Sequence, residues 1–121
     1  MWLNALLVSI GGGLGSFCRY ALSIYGASWS LWFPFGTFLA NLLACFVLGC
    51  LTGLSLKNNL PTNYNLLLGT GFCGGFSTFS TFSKEVLQLL QAGNLGQGFI
   101  YLAFSIVLGM LMVYCGILLT R

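Results

Sequence analysis

Four long apolar runs, separated by short polar interruptions, set the pattern of this chain. They cover about residues 2–25, 34–56, 64–90 and 95–119. Each is about 20 residues or longer, the length a helix needs to cross a hydrocarbon core of about 30 Å. The interruptions are Gly26 to Trp32, Lys57 to Asn63 (K-N-N-L-P-T-N) and a turn over Gln91 to Asn94 marked by Gly93-Asn94. The pattern predicts an all-α integral membrane protein of four transmembrane helices, one domain over 1–121. Trp29 and Trp32 are expected as interface anchors. Pro34 can open the second helix, where its missing N–H would be unpaired anyway.

The third run is apolar enough for lipid yet ill suited to an unbroken helix. Gly71 to Phe82 reads G-F-C-G-G-F-S-T-F-S-T-F. Gly71, Gly74 and Gly75 each cost about 1 kcal/mol against Ala in a helix interior. Ser77, Thr78, Ser80 and Thr81 offer hydroxyls that compete for backbone partners. In lipid a break is tolerated only where it is buried in protein or lines a watery cavity. A broken third helix at membrane depth is therefore the expected site. Phe79 and Phe82, three apart, share one helical face. Ring edges carry positive charge, so rings interleaved with hydroxyl donors suit a small, hard anion. Freed carbonyls suit a hard cation such as sodium. The competing reading is a packing kink, with Phe filling space and Gly allowing contact.

Composition agrees with the membrane assignment. The chain is 58% hydrophobic and 4% charged, where soluble domains hold about 25% charged residues, and its mean hydropathy is +0.96. A net charge of +3 from four cations and one anion is too sparse for a nucleic-acid surface. With no histidine and a single carboxylate, metal-ligand constellations are absent and no base stands near a Ser or Cys, so an enzyme is not expected. Cys18, Cys45, Cys50, Cys73 and Cys115 form no C-x-x-C pair and read as small apolar helix residues. No secretory signal precedes the first run, which is expected to stay as a helix.

Within the runs a few polar residues stand out. Arg19 lies in the last third of the first run, where it either snorkels to the headgroups or faces a pore or partner. Asn41 must find another helix or a polar ligand. Gly11 to Gly15, and Gly49, Thr52 and Gly53, form small-residue packing faces. Tyr101, Ser105, Leu108 and Met112 share one face of the fourth helix, with Gly109 as a close-packing point. If Arg19 and Lys84 snorkel to the nearer face, they balance Lys57 and Arg121 on the side of the termini. Orientation follows Lys/Arg imbalance. Equal counts predict insertion in both directions and an antiparallel, dual-topology homodimer.

Three motifs together resemble the Fluc/CrcB fluoride channel family. Gly74 to Phe82 (G-G-F-S-T-F-S-T-F) is similar to the family's third-helix signature, Gly12 to Tyr20 (G-G-L-G-S-F-C-R-Y) to its first-helix pattern and Gly36 to Asn41 (G-T-F-L-A-N) to its second. The resemblance covers all four runs. It implies a dual-topology homodimer of four-helix subunits in a bacterial plasma membrane, with two fluoride pores. Fluoride would leave the cytoplasm down its electrochemical gradient, relieving accumulation from hydrogen fluoride that enters neutral and dissociates inside. Carried onto this chain, Phe79 and Phe82 line the pores with ring edges and Asn41 is the pore asparagine. The carbonyls of Gly74 and Ser77 hold a structural sodium ion on the dimer axis. Ser80, Thr81, Tyr101 and Ser105 are the hydroxyl track, and Arg19 sits at a vestibule or supports the fold. Ser77 stands where the family usually has Thr, Ser16 where it has Ala, Ala44 where Gly is frequent, and Gly109 where some members carry a hydroxyl.

Two other classes remain. A small proton-coupled multidrug exporter can share this architecture, but needs a membrane-embedded carboxylate. Glu85, the only acid, reads as a local ion pair with Lys84. A non-transporting assembly subunit would use the glycines for packing alone.

Overall fold

The computed structural model describes residues 1–28 and 33–121. The expected anchors Trp29 and Trp32 lie outside the described residues. Every regular element among those described is helical: α1 (Trp2–Ala27), α2 (Phe35–Leu56), α3 (residues 62–76), α4 (Phe79–Gln91) and α5 (Leu95–Thr120). The middle of α3, Asn65–Cys73, winds as a π-helix, with α-helical turns at Thr62–Tyr64 and Gly74–Phe76. Pro34 caps α2 rather than opening it, and Phe35 is the first helical residue.

Three helices, α1, α2 and α5, are long and apolar enough to cross a membrane. The chain is a multi-pass membrane protein. α3 and α4 are each too short to cross alone. They are separated by two residues in extended conformation, Ser77 (φ −82°, ψ 157°) and Thr78 (φ −152°, ψ 119°).

Glycine seams hold the helices together. α1 and α3 run parallel, with Gly11 and Gly15 of one against Gly71 and Gly75 of the other. A Cβ added at Gly11 would meet the carbonyl oxygen of Leu67, one at Gly15 that of Phe72 and one at Gly75 that of Gly12. Spacing of four puts each glycine pair on one helical face. Lipid gives helices no hydrophobic reason to associate, so close backbone approach supplies the attraction. The same contact explains why Gly71 and Gly75 stay helical against their propensity.

α2 and α5 form the second parallel seam. Gly49 backs onto Val113, Gly53 onto Ile117, and Gly116 onto Phe46 and Cys50. At its end the Thr120 hydroxyl lies 2.9 Å from the carbonyl oxygens of both Cys50 and Gly116, sharing its proton between them. α2 runs antiparallel to α3, because Asn41 meets Thr78 while Leu48 meets Gly69. The small-residue faces expected on α1 and α2 are thus the two seams. Each seam joins helices that are not neighbours in sequence.

Candidate functional site

The gap between α3 and α4 lies where the hydroxyls, not the glycines, interrupt the helix. Ser77 turns its own hydroxyl back to the Cys73 carbonyl at 2.7 Å, which its N–H also reaches at 3.0 Å. Thr78 then opens α4 as its N-cap, its Oγ1 accepting from the Thr81 N–H at 3.2 Å. An N-cap hydroxyl satisfies one of the donors a helix start leaves unpaired. The Thr78 and Ser80 hydroxyls stand 3.3 Å apart.

Two side chains from other helices hold the gap open. Asn41 of α2 takes the Thr78 N–H on Oδ1 at 2.8 Å and returns Nδ2 toward the Thr78 carbonyl at 3.4 Å. Its amide therefore acts as a strand would, pairing both backbone groups of one extended residue. Of the two partners the sequence left open for Asn41, a neighbouring helix or a polar ligand, the structure places it on the backbone of the gap. One Nδ2 hydrogen remains beyond that pair. Arg19 of α1 donates Nε–H to the Gly75 carbonyl at 3.0 Å, on the last turn of α3.

Phe79 and Phe82 stand with ring centroids 6.1 Å apart but in opposite surroundings. Phe79 is 80% exposed, whereas Phe82 is 7% exposed. Phe82 packs edge-on against Tyr101, with centroids 5.1 Å apart and planes at 78°. Edge-to-face is the arrangement a ring quadrupole prefers. Phe33 and Phe38 also approach Tyr101 edge-on. The tyrosine is fully buried. Its hydroxyl, and that of Ser105 one turn further along α5, have no hydrogen-bond partner among the described residues. Two buried hydroxyls on one helical face are thus donors in want of an acceptor, and an unmet buried polar group costs about 1–3 kcal/mol.

Thr37, which the sequence reading passed over, is buried beside them. It faces Glu85 and Tyr101, though at no geometry that satisfies the Tyr101 oxygen. Its signal was its place in G-T-F-L-A-N, four residues before Asn41 and so on the same face. Glu85 does not pair with Lys84: no ion pair forms among the described residues, Lys84 is exposed, and Glu85 is half-buried with Oε1 unpartnered. Glu85, Thr37 and Gln88 line a cavity of about 400 Å³ between α1, α2 and α4.

The structure thus brings Asn41 and Arg19 to the gap itself, and Ser80, Thr81 and Phe79 to its α4 side. Phe82, Tyr101 and Ser105 form a buried ring-and-hydroxyl file behind it. Gly74 is exposed, with no heavy atom within 4 Å of where its Cβ would be.

Comparison with known proteins gives full-length relatives. The family described as CrcB-like protein, Camphor Resistance (CrcB), matches residues 6–117. A fluoride-specific ion channel FluC of Azobacteroides pseudotrichonymphae genomovar. CFP2 is 50% identical over 124 residues, covering 100% of this chain and 98% of the relative. One of Prosthecochloris aestuarii is 44% identical (96% and 91%), and one of Phocaeicola vulgatus 45% (94% and 95%). Likeness that runs the length of the chain, over both seams and the gap between α3 and α4, shows that this chain belongs to the CrcB-like family.

Proposed function

We propose that the chain is a fluoride channel of the bacterial membrane, not an enzyme, and that it conducts as an antiparallel pair of copies. The observation that carries the reading is the gap at Ser77-Thr78, clamped by Asn41, with rings and unpaired hydroxyls on one side of it. The ion follows from full-length relatives named as fluoride-specific. In this reading α3 and α4 together make a fourth, broken crossing.

Fluoride is small and strongly hydrated, so a pathway must replace its water with donors at every step. The free Nδ2 hydrogen of Asn41 and the hydroxyls of Ser80, Thr81, Ser105 and Tyr101 supply donors. The edges of Phe79 and Phe82 bridge the apolar stretch. The anion would meet the need of the Tyr101 and Ser105 hydroxyls that the folded chain leaves unmet. Conduction asks that each site bind well enough to admit the ion and weakly enough to release it.

The second copy enters through Phe79, a large ring exposed beside the gap, and through the even spread of charge. With Arg19 held on Gly75, the cations that flank the membrane are Lys57 and Arg121 on one side and Lys84 on the other. An imbalance of one sets orientation weakly. A structural sodium ion fits the donors at the gap. Helix ends free hard carbonyl oxygens, Arg19 occupies the one on Gly75, and Ser77 occupies the one on Cys73. The Gly74 and Ser77 carbonyls would hold the ion, with their counterparts from a second copy completing the set. When bound it supplies a fixed positive charge. Gly74 faces open space, as a position approached by another chain must.

The proton-coupled exporter has one observation in its favour, the unpartnered oxygen of half-buried Glu85. One experiment separates the two. Purified protein in liposomes loaded with potassium fluoride should release fluoride only once a potassium ionophore is added, with chloride retained in a parallel run. Uptake of an organic cation driven by a pH gradient would favour the exporter, and neither movement from folded protein would leave a packing kink.

A further inference from the structure

Folding brings together two cysteines that the sequence holds 28 residues apart. The register of α2 against α3 is fixed by two contacts. Asn41 bonds Thr78, and Leu48 lies 3.8 Å from where a Cβ on Gly69 would stand. Four residues on from Asn41 and five back from Thr78 are Cys45 and Cys73. Three residues back from Leu48 and four on from Gly69 are the same two. Both contacts therefore place this pair at the same level of α2 and α3, where the two helices meet.

Cys45 and Cys73 line one cavity of about 440 Å³. Cys73 is 3% exposed, while Cys45 is half-buried, its sulfur at the junction with Gly109 of α5. The cavity wall also carries oxygen donors: Thr52, Asn65, Thr70 and Ser77. Neither cysteine belongs to the conduction file of rings and hydroxyls.

We propose that Cys45 and Cys73 form a two-thiolate site for a thiophilic divalent cation of the cadmium and mercury type. On binding, each S–H bond breaks, each sulfur pair forms a bond to the metal, and two protons pass to water. No oxidant is needed. Thiolates select soft metals, and the ligand must be deprotonated to bind. A divalent ion with two thiolates makes a neutral unit, which a low-dielectric seam tolerates where a bare charge would be costly. A disulfide would need an oxidant, which metal binding does not. No group of three His, Cys, Asp or Glu could hold a metal among the described residues, so the site is a pair, completed by hydroxyls or water.

The test titrates the purified full-length protein with cadmium alone, reading thiolate-to-cadmium charge-transfer absorption in the ultraviolet and proton release in weak buffer. A lone thiol holds cadmium weakly, so the signal needs both sulfurs. The expected result is saturation at one cadmium per chain with two protons released. The signal should vanish in Cys45→Ala and in Cys73→Ala and persist in Cys115→Ser, whose thiol is exposed on α5. Should Cys73→Ala fail to fold, Cys45→Ala, at a half-buried position, carries the test. Absence of the signal in the unmodified protein, its survival in Cys45→Ala, or its loss in Cys115→Ser would overturn the proposal. None of these readouts depends on fluoride, so its failure and that of the proposed function are separable.

Discussion

Asn41 and Phe79 are the residues at which structure and function can be pulled apart. Asn41→Ala removes the acceptor of the Thr78 N–H, and leaving that group unpaired should cost about 1–3 kcal/mol. Asn41→Asp keeps an oxygen for the Thr78 N–H but loses the amide donor. We expect the alanine variant to lose both thermal stability in detergent and fluoride efflux, and the aspartate variant to lose efflux while keeping most of the stability. Equal efflux in Asn41→Asp and the parent would remove the amide from the pathway. Phe79→Ile is the cleaner of the two ring tests, because its ring is exposed on the subunit and contributes little to the fold of a single copy. It should cut efflux sharply with the helical fold of the subunit unchanged by circular dichroism. Phe82→Ile should also cut efflux, but it takes support from Tyr101 and should lower stability as well. The sequence identified Asn41 as a residue needing a partner, since an amide in lipid has few places to go. It could not say which partner, because Thr78 lies 37 residues away. The different surroundings of Phe79 and Phe82 were equally hidden, since spacing of three gives a shared face and says nothing of what covers it.

At the scale of elements the glycines divide into those that are pressed and those that are free. Gly11→Ala would drive a methyl into the Leu67 carbonyl and Gly15→Ala into that of Phe72. Both atoms are backbone and cannot turn aside. These variants should part α1 from α3, seen as loss of monodisperse protein on size exclusion. Gly13→Ala meets nothing within 4 Å and should be tolerated, gaining up to about 1 kcal/mol of helix propensity. If all three behave alike, the α1–α3 seam is not what the glycines are for. The three helices able to cross a membrane, α1, α2 and α5, were readable as apolar runs, because length and hydropathy in lipid leave few alternatives. The gap was placed too broadly. Read one residue at a time, Gly71, Gly74 and Gly75 look like breakers. In the structure all three continue the helix, Gly71 and Gly75 with the backbone of α1 lying against them, and it is the capping chemistry of Ser77 and Thr78 that ends it. The π-helical winding of α3 has no sequence periodicity to announce it.

For the whole molecule the question is which way up it sits. Counting Arg19 as a headgroup seeker gave an even split of cations, but the structure spends Arg19 on the Gly75 carbonyl. The remaining difference is one charge. Lys57→Gln should therefore bring the two orientations closer to parity with efflux retained. Adding a lysine next to Lys57 should drive most copies one way and lower efflux, read by cysteine labelling of Asn59→Cys, an exposed neutral position, from either side. Full efflux from copies of a single orientation would count against the antiparallel pair. The two parallel seams carry a further consequence for how the chain is made. Each joins a helix from the first half to one from the second, about 60 residues later. While α1 and α2 are leaving the ribosome, the surfaces they need do not yet exist. They wait in the lipid joined where Gly26 of α1 meets Gly36 of α2, and the α2–α5 seam completes only once α5 has been added. A ribosome that stalls before α3 therefore leaves two helices whose seam glycines, Gly11 and Gly15 on α1 and Gly49 and Gly53 on α2, are bare, a form a membrane protease can distinguish from the finished subunit.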